Sequence, residues 1–565
     1  MGASEPVVER ENETGAQVRE ENAEEEEEEK PVDFEEKVIQ MKSNGARSEN
    51  RNDHREEILL SKFHRLNPTN PLRIVINGPN NRVSNPSHAQ AQRPPSHGQA
   101  QRPPSHARAQ RPQPRSVPLP TPQEQQPVTL NSRRYTNRIS LFLFLLHLLF
   151  AIALVCFLVF KGIQALIQGS DSEKRKVKRH LTHFLPQVEA AALISITLAF
   201  AWQKAFRQWP TFMIHFILWG SFLMSLSAGI LLLCFQQPPS DGVGVCLVAF
   251  SVCNSLYACW VNRRVKFCSK ILSLSLEPAS KFTDLNHPTY YMLGAGFLWM
   301  SVWVLAVIGS LNFYFPPLII SALILSLAWI TEVLRNVVHI TVSRVIALYY
   351  LRGMQSSTHF CFLRALTRNL GSACLGSLFV PTIEALRIVA RFLNLLEGED
   401  EFLFCCAHCC LNVMESIFRN GNGWAYVQIA AYGKGFVMAS QDTWALFEKQ
   451  EMEELVDSDI TSSICFLTGV CSGSICVIVV AAWTHVVHQS FTATLSLLSF
   501  FIGYLLTRVS MAVPHACVSC YYVCYAENPE NRLFDNSIKD RLSLIKSNRD
   551  LTAPTPRLSS KRPRV

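Results

Sequence analysis

Between Leu141 and Tyr525 the chain carries a succession of apolar runs, most of them long enough to cross the roughly 30 Å hydrocarbon core of a bilayer. Backbone groups in that solvent must be satisfied internally, and apolar runs of this length do so as helices, so the expected class is an all-α, polytopic membrane helix bundle. Spans are expected at 141–160, 186–204, 211–234, 242–262, 289–313, 317–343, 368–392, 402–417, 460–487 and 495–523, about ten transmembrane helices in all. The net charge of +8 sits mainly in the tails and at the ends of the apolar runs, which suits anionic lipid headgroups and argues against nucleic acid as a partner.

Residues 1–138 lack the apolar content that offsets ordering entropy. They hold the acidic run Glu24 to Glu29 and then a Pro, Gln, Arg and His rich tract, in which Ala-Gln-Arg-Pro-Pro-Ser-His occurs from Ala91 and again from Ala100. A long disordered cytoplasmic N-terminal tail is the expectation, able to recruit cytosolic partners. Residues 139–526 form the expected transmembrane domain and 527–565 a polar, basic cytoplasmic C-terminal tail. Arg133, Arg134 and Arg138 before the first span favour a cytoplasmic N terminus. The cluster Arg263, Arg264, Lys266, Lys270 and Lys281 agrees with that orientation, whereas Lys174 to Arg179 opposes it. The segment 420–458 is too polar to span; Trp444, Phe447, Met452 and Leu455 give it an amphipathic helix expected along the cytoplasmic face.

Ionisable side chains inside a span are costly, so they point to function. The apolar run from Pro316 continues into a segment where Trp329, Glu332, Asn336, His339 and Ser343 recur at spacings of three and four, forming one seam of a helix. Two readings of Glu332 stand: it neutralises Arg335 one turn away, or it lines a passage for a cationic solute together with Trp329. Trp299 and Trp303, one turn apart and midway through the fifth span, are candidates for an aromatic cage around a quaternary ammonium, against the ordinary role of tryptophan in bundle cores. The candidate substrate-binding set is therefore Trp299, Trp303, Trp329, Glu332, Asn336 and His339.

Other clusters read more plainly. Cys405, Cys406, His408, Cys409 and Cys410 cannot close one tetrahedron from a single helix, so no metal is expected. Cys517, Cys520 and Cys524 lie on one helix face, where packing competes with S-palmitoylation. Gly433-Lys434-Gly435 lacks the rest of a phosphate loop, no catalytic constellation is present, and no cofactor is implied.

The pattern Trp329-x-x-Glu332-Val333-x-x-Asn336-Val337-x-His339-x-Thr341-Val342, followed by Tyr349-Tyr350, resembles a signature of the choline transporter-like family, solute carrier family 44, in its fungal and plant branch. Gly371-Ser372 with Gly376-Ser377, Trp424 to Val427 with Gly433 to Phe436, and Val523 to Asn528 are similar to further family segments; Asn528 departs from the usual Asp. The resemblance runs from about Trp299 to Asn528. It implies a non-enzymatic transporter that moves choline or a related quaternary ammonium without hydrolysing ATP, in the plasma membrane or else in an endomembrane, with the Lys174 to Arg179 loop outside. The matched motifs do not themselves identify substrate residues. The competing class is a non-transporting membrane scaffold, or a trafficking or lipid-homeostasis factor.

Overall fold

The computed structural model describes residues 135–395 except 312 and 314, then 409, 413–414, 416–487 and 489–547, with the backbone alone at 387–388, 390–395 and 490. The N-terminal tail expectation, the last residues of the C-terminal tail, most of the expected 402–417 span and its cysteine cluster apart from Cys409 lie outside them. The described residues are helical, with no strand among them. In chain order the first eight helices are α1 (Arg138–Gln168), α2 (Asp171–Gln208), α3 (Pro210–Cys234), α4 (Pro238–Ser280), α5 (His287–Ser310), α6 (Pro316–Arg352), α7 (Thr358–Thr367) and α8 (Leu370–Leu395). They are followed by α9 (Ala425–Tyr432), α10 (Phe436–Lys449), α11 (Glu453–Asp457), α12 (Thr461–Val487), α13 (Thr492–Ser510), α14 (Ala512–Glu527) and α15 (Ser537–Lys546).

Eight helical stretches are long and apolar enough to cross a membrane, and they correspond to the expected spans one to six, nine and ten. The expected seventh is α8, whose apolar part, Leu370–Leu386, is shorter. Boundaries differ more than existence. The Lys174 to Arg179 cluster is not a loop but the opening turns of α2, started by a capping box in which Ser170 accepts from the Glu173 N–H and the Glu173 carboxylate accepts from Ser170 N–H. At 43 residues α4 is about 65 Å long, roughly twice the hydrocarbon core, so its Arg263 to Ser280 part extends well beyond the expected end at 262. The tenth span is two helices, α13 and α14, separated at Met511 three residues before Pro514.

Lipid-facing and core-facing surfaces separate cleanly. α1 exposes Phe142, Leu145, Leu149 and Phe150, while α12 and α13 are mostly buried and the second half of α6 is almost wholly so. An apolar surface of that extent is what a bundle presents to acyl chains. Small residues set the closest approaches: the α carbon of Gly309 in α5 lies against Gly162 in α1, and Gly371 in α8 lies against the carbonyls of Thr136 and Asn137. Asn137, with φ 47°, accepts through Oδ1 from Ser372 Oγ (3.3 Å) and the Phe436 N–H (3.1 Å), tying the start of α1 to α8 and α10.

The 420–458 segment has the expected apolar face, since Trp444, Phe447, Met452 and Leu455 are all buried. It is not a single surface helix, however. α9 is buried along its whole length, and Arg344 of α6 donates to the Ala430 (2.6 Å) and Ala431 (3.4 Å) carbonyls at its C-terminal end. Those carbonyls have no intrahelical partner, which is why a cation from another helix is held there. Cys517, Cys520 and Cys524 are fully buried in α14, so the accessible thiols that palmitoylation requires are absent at these positions and the packing reading stands.

A β carbon at Gly309 would stand 2.2 Å from the Leu158 carbonyl oxygen, whereas one at Gly294 meets nothing within 4 Å. Gly309→Ala is therefore expected to cost about 1–3 kcal/mol by forcing α1 away from α5, and Gly294→Ala to cost little. Thermal unfolding of the two variants in detergent checks this; equal midpoints would mean that the α1–α5 contact is not tight.

Candidate functional site

The seam on α6 becomes a polar network between α6, α13 and α14. Glu332 and Arg335 are one turn apart, and Arg335 Nη1 donates to Glu332 Oε2 at 2.7 Å. The other carboxylate oxygen, Oε1, accepts from Arg508 Nη2 of α13 at 3.5 Å. All three side chains are nearly excluded from solvent, at 14%, 9% and 10% exposure, so the pairing is neither screened nor optional. Arg335 also reaches α14: its Nη2 lies 3.4 Å from His515 Nδ1, which must accept because guanidinium has no lone pair to offer.

The network continues through rings. His515 meets His339 at 5.0 Å between centroids, and His339 meets Tyr426 of α9 at 5.1 Å. His339 Nδ1 is 3.3 Å from Ser343 Oγ, and Asn336 Nδ2 donates to the Ala373 carbonyl of α8 at 3.4 Å. Asn336 Oδ1, His339 Nε2 and the Tyr426 hydroxyl are buried without a hydrogen-bond partner. These three atoms on α6 and α9 are among the unsatisfied polar atoms of the described core, and each calls for an explanation.

The tryptophans divide. Trp329 donates from Nε1 to Ser377 Oγ (3.0 Å) and packs on His147 (4.5 Å) and Phe144 (5.5 Å) of α1. His147 in turn is 3.1 Å from Ser326 Oγ. Trp299 borders the same cluster as Trp329, beside Phe144, Ile330 and Val333, and its indole N–H is buried and unpartnered. Trp303 is 1% exposed, lies in the main core rather than in that cluster, and donates to the Leu323 carbonyl at 3.0 Å. Trp299 thus borders two clusters, the small one that Trp329 also borders and the main core that holds Trp303.

Sequence reasoning singled out Glu332, Asn336 and His339 but missed Arg508, His515 and Tyr426. The first two did carry a readable signal, being a cation and an imidazole inside an otherwise apolar span. Glu384 and Arg387 of α8 are three apart, the spacing at which Glu332 and Arg335 pair, and the Arg387 side chain lies outside the described residues.

A family model described as plasma-membrane choline transporter matches residues 245–530, about half of the chain, and covers α6 through α14 together with most of α4 and all of α5. A CTL-like protein of Dictyostelium discoideum is 25% identical over 304 residues, which are 51% of this chain and 53% of that protein. Protein PNS1 of Mycosarcoma maydis is 27% identical over 220 residues, 36% of this chain and 41% of its own length. Protein PNS1 of Debaryomyces hansenii is 28% identical over 238 residues, 38% and 45% respectively. The chain spans about half the length of these curated relatives or less. Taken with the helical bundle and its intramembrane ion pairs, the match places this chain in the plasma-membrane choline transporter family, among the choline transporter-like proteins.

Proposed function

We propose that this multi-pass membrane protein moves choline or a related quaternary ammonium across a membrane, without hydrolysing ATP and with the plasma membrane as its site of action. The observation that carries the reading is Glu332, a carboxylate buried in a spanning helix and held between arginines of two helices. A methylated ammonium donates no hydrogen bond; it is recognised by ring faces and a nearby negative charge. Glu332 supplies the charge. Trp299 and Trp329 supply indole rings close by, with Asn336 and His339 on the same seam and Trp303 setting the position of α5 from behind.

In the conformation seen, both guanidiniums contact the Glu332 carboxylate, and Glu384 also lies within electrostatic reach of Arg508, so an arriving cation competes with an arginine for Glu332. Arg335 sits on the same helix as Glu332 at 2.7 Å and stays with it. Arg508 reaches across from α13 at 3.5 Å and is the contact that gives way. Exchange of the Arg508 link for a substrate charge would couple binding to separation of α6 from α13, which is the kind of two-state element a carrier requires. The family description and the helical bundle support the transporter class.

Uptake of labelled choline into vesicles containing only the purified protein tests the reading. Trp329→Ala and Trp299→Ala are each expected to lower initial uptake about tenfold, the loss from a desolvated ring–cation contact of somewhat over 1 kcal/mol. Uptake that is absent from the unaltered protein, or unmoved by both substitutions, would leave the scaffold reading in its place.

The ion pairs give a second test by thermal unfolding. Glu332→Gln strands two buried guanidiniums and is expected to cost about 3–5 kcal/mol. In Glu332→Gln/Arg508→Gln one of the stranded charges is gone, so the double variant should unfold above the sum of its singles; strict additivity would mean that the two groups do not interact.

A further inference from the structure

A second site lies away from the Glu332 network, between the last turns of α2 and the start of α5. It is an open cavity of about 460 Å³ lined by Phe200, Gln203, Lys204, Arg207, Asn286 and Tyr290. Phe200, Gln203, Lys204 and Arg207 fall at i, i+3, i+4 and i+7, one face of α2, and Asn286 and Tyr290 are one turn apart at the head of α5. Charge and aromaticity are graded along it. Arg207 and Lys204 stand at the outer end, where the basic cluster of α4 also leaves the bilayer. Phe200 and Tyr290 stand about 6–10 Å nearer the membrane centre, edge to face at 5.2 Å. None of the six is acidic.

Arg207 is held in place, whereas Lys204 is exposed. Arg207 Nη2 donates to Asn286 Oδ1 at 3.0 Å, which fixes the guanidinium plane with most of its donors still directed elsewhere. Gln203 is buried and anchored by Nε2 to the Ser510 carbonyl (3.3 Å). The apolar walls are 40% and 43% exposed, and Trp209 just beyond Arg207 is 59% exposed, as an indole at the headgroup level is. A pocket with a fixed guanidinium and an ammonium at its polar end, and lipid-facing rings at its apolar end, matches a phosphate that carries acyl chains better than a soluble anion.

We propose that this cavity binds the phosphate of an anionic glycerophospholipid, with Arg207 and Lys204 on the phosphate oxygens and Phe200 and Tyr290 against the glycerol and the first methylenes. The cluster Arg263, Arg264, Lys266, Lys270 and Lys281 at the end of α4 assigns this end to the cytosolic leaflet, which concentrates anionic lipid, although Lys174 to Arg179 at the other end of α2 pull the opposite way. The site does not depend on what the Glu332 network transports, so absent choline uptake would leave it standing.

The test uses the full-length protein in phosphatidylcholine nanodiscs with and without phosphatidic acid, reading lipid retention by native mass spectrometry and stability by thermal unfolding. The unaltered protein should retain phosphatidic acid and unfold at a higher temperature with it. Lys204→Gln and Arg207→Gln should each weaken retention about fivefold, the effect of removing one cation at a membrane surface. Lys539→Gln, an exposed cation in α15, should change nothing. Should Arg207→Gln loosen the Asn286 contact and unfold, Lys204→Gln carries the same test, because its side chain is exposed. Equal retention by Lys204→Gln and the unaltered protein would overturn the proposal. So would soluble glycerol 3-phosphate protecting as well as the lipid, since the site would then be one for free phosphate.

Discussion

A charge inside hydrocarbon has to be answered by another charge, and the pairing of Glu332 with Arg335 and Arg508 is the point about which the rest of the bundle is arranged. An isolated carboxylate at that depth costs from about 2.5 to more than 10 kcal/mol, so α6 and α13 cannot separate freely while the link exists. The same rule governs weaker groups. Hydroxyls on the buried faces turn back onto their own helices, as Thr331 does to the Leu327 carbonyl (2.8 Å) and Thr468 to that of Ile464 (2.8 Å). The open carbonyls at the end of α9 are met by Arg344. Among the buried polar atoms left without a hydrogen-bond partner, Asn336 Oδ1, His339 Nε2 and the Tyr426 hydroxyl lie close to the ion pairs.

The two arginines are not equivalent partners. A turn of helix fixes Arg335 beside Glu332 whatever α6 does as a body, so that contact survives any rigid displacement. Arg508 belongs to α13, and a shift of about an ångström between the helices would take its 3.5 Å contact beyond ion-pair distance. His515 follows Arg508 across the Met511 interruption and touches Arg335 and His339. Movement of α13 and α14 together would therefore reach both ends of the seam on α6.

The membrane spans were legible in the sequence because length and hydropathy decide them, and eight appear where the apolar runs lie. Helix ends were not, because polar residues such as Arg264 or Lys174 end a span without ending a helix. α4 and α2 run on as solvated or partner-covered rods. The seam on α6 was readable from spacing within one helix, and so was its first pairing, Glu332 with Arg335. Arg508 and His515 lie on other elements, and which helix they face is fixed by tertiary packing that no periodicity reports. The tryptophans make the same point. Trp299 and Trp303 share a spacing that suggested one cage, yet Trp303 is buried in the main core with its indole on the Leu323 carbonyl, while Trp299 also borders the cluster that Trp329 borders. For Cys517, Cys520 and Cys524 the sequence left packing and S-palmitoylation open, because burial of a helix face depends on its neighbours; all three are buried in α14.

The end of α13 joins the two regions of interest. Ser510, whose carbonyl holds Gln203 in the basic cavity, is two residues from Arg508, whose guanidinium holds Glu332. Two turns earlier, Gly503 accepts from Ser195 Oγ of α2 at 3.0 Å, so α2 and α13 are clamped at two levels. α2 therefore cannot move past α13 without disturbing Arg508. Occupancy of a cavity built on α2 would restrain α13 through those bonds, and by linkage any ligand that draws Arg508 away from Glu332 would act back on the cavity with the same free energy. The coupling needs no long pathway, since one helix end carries both contacts.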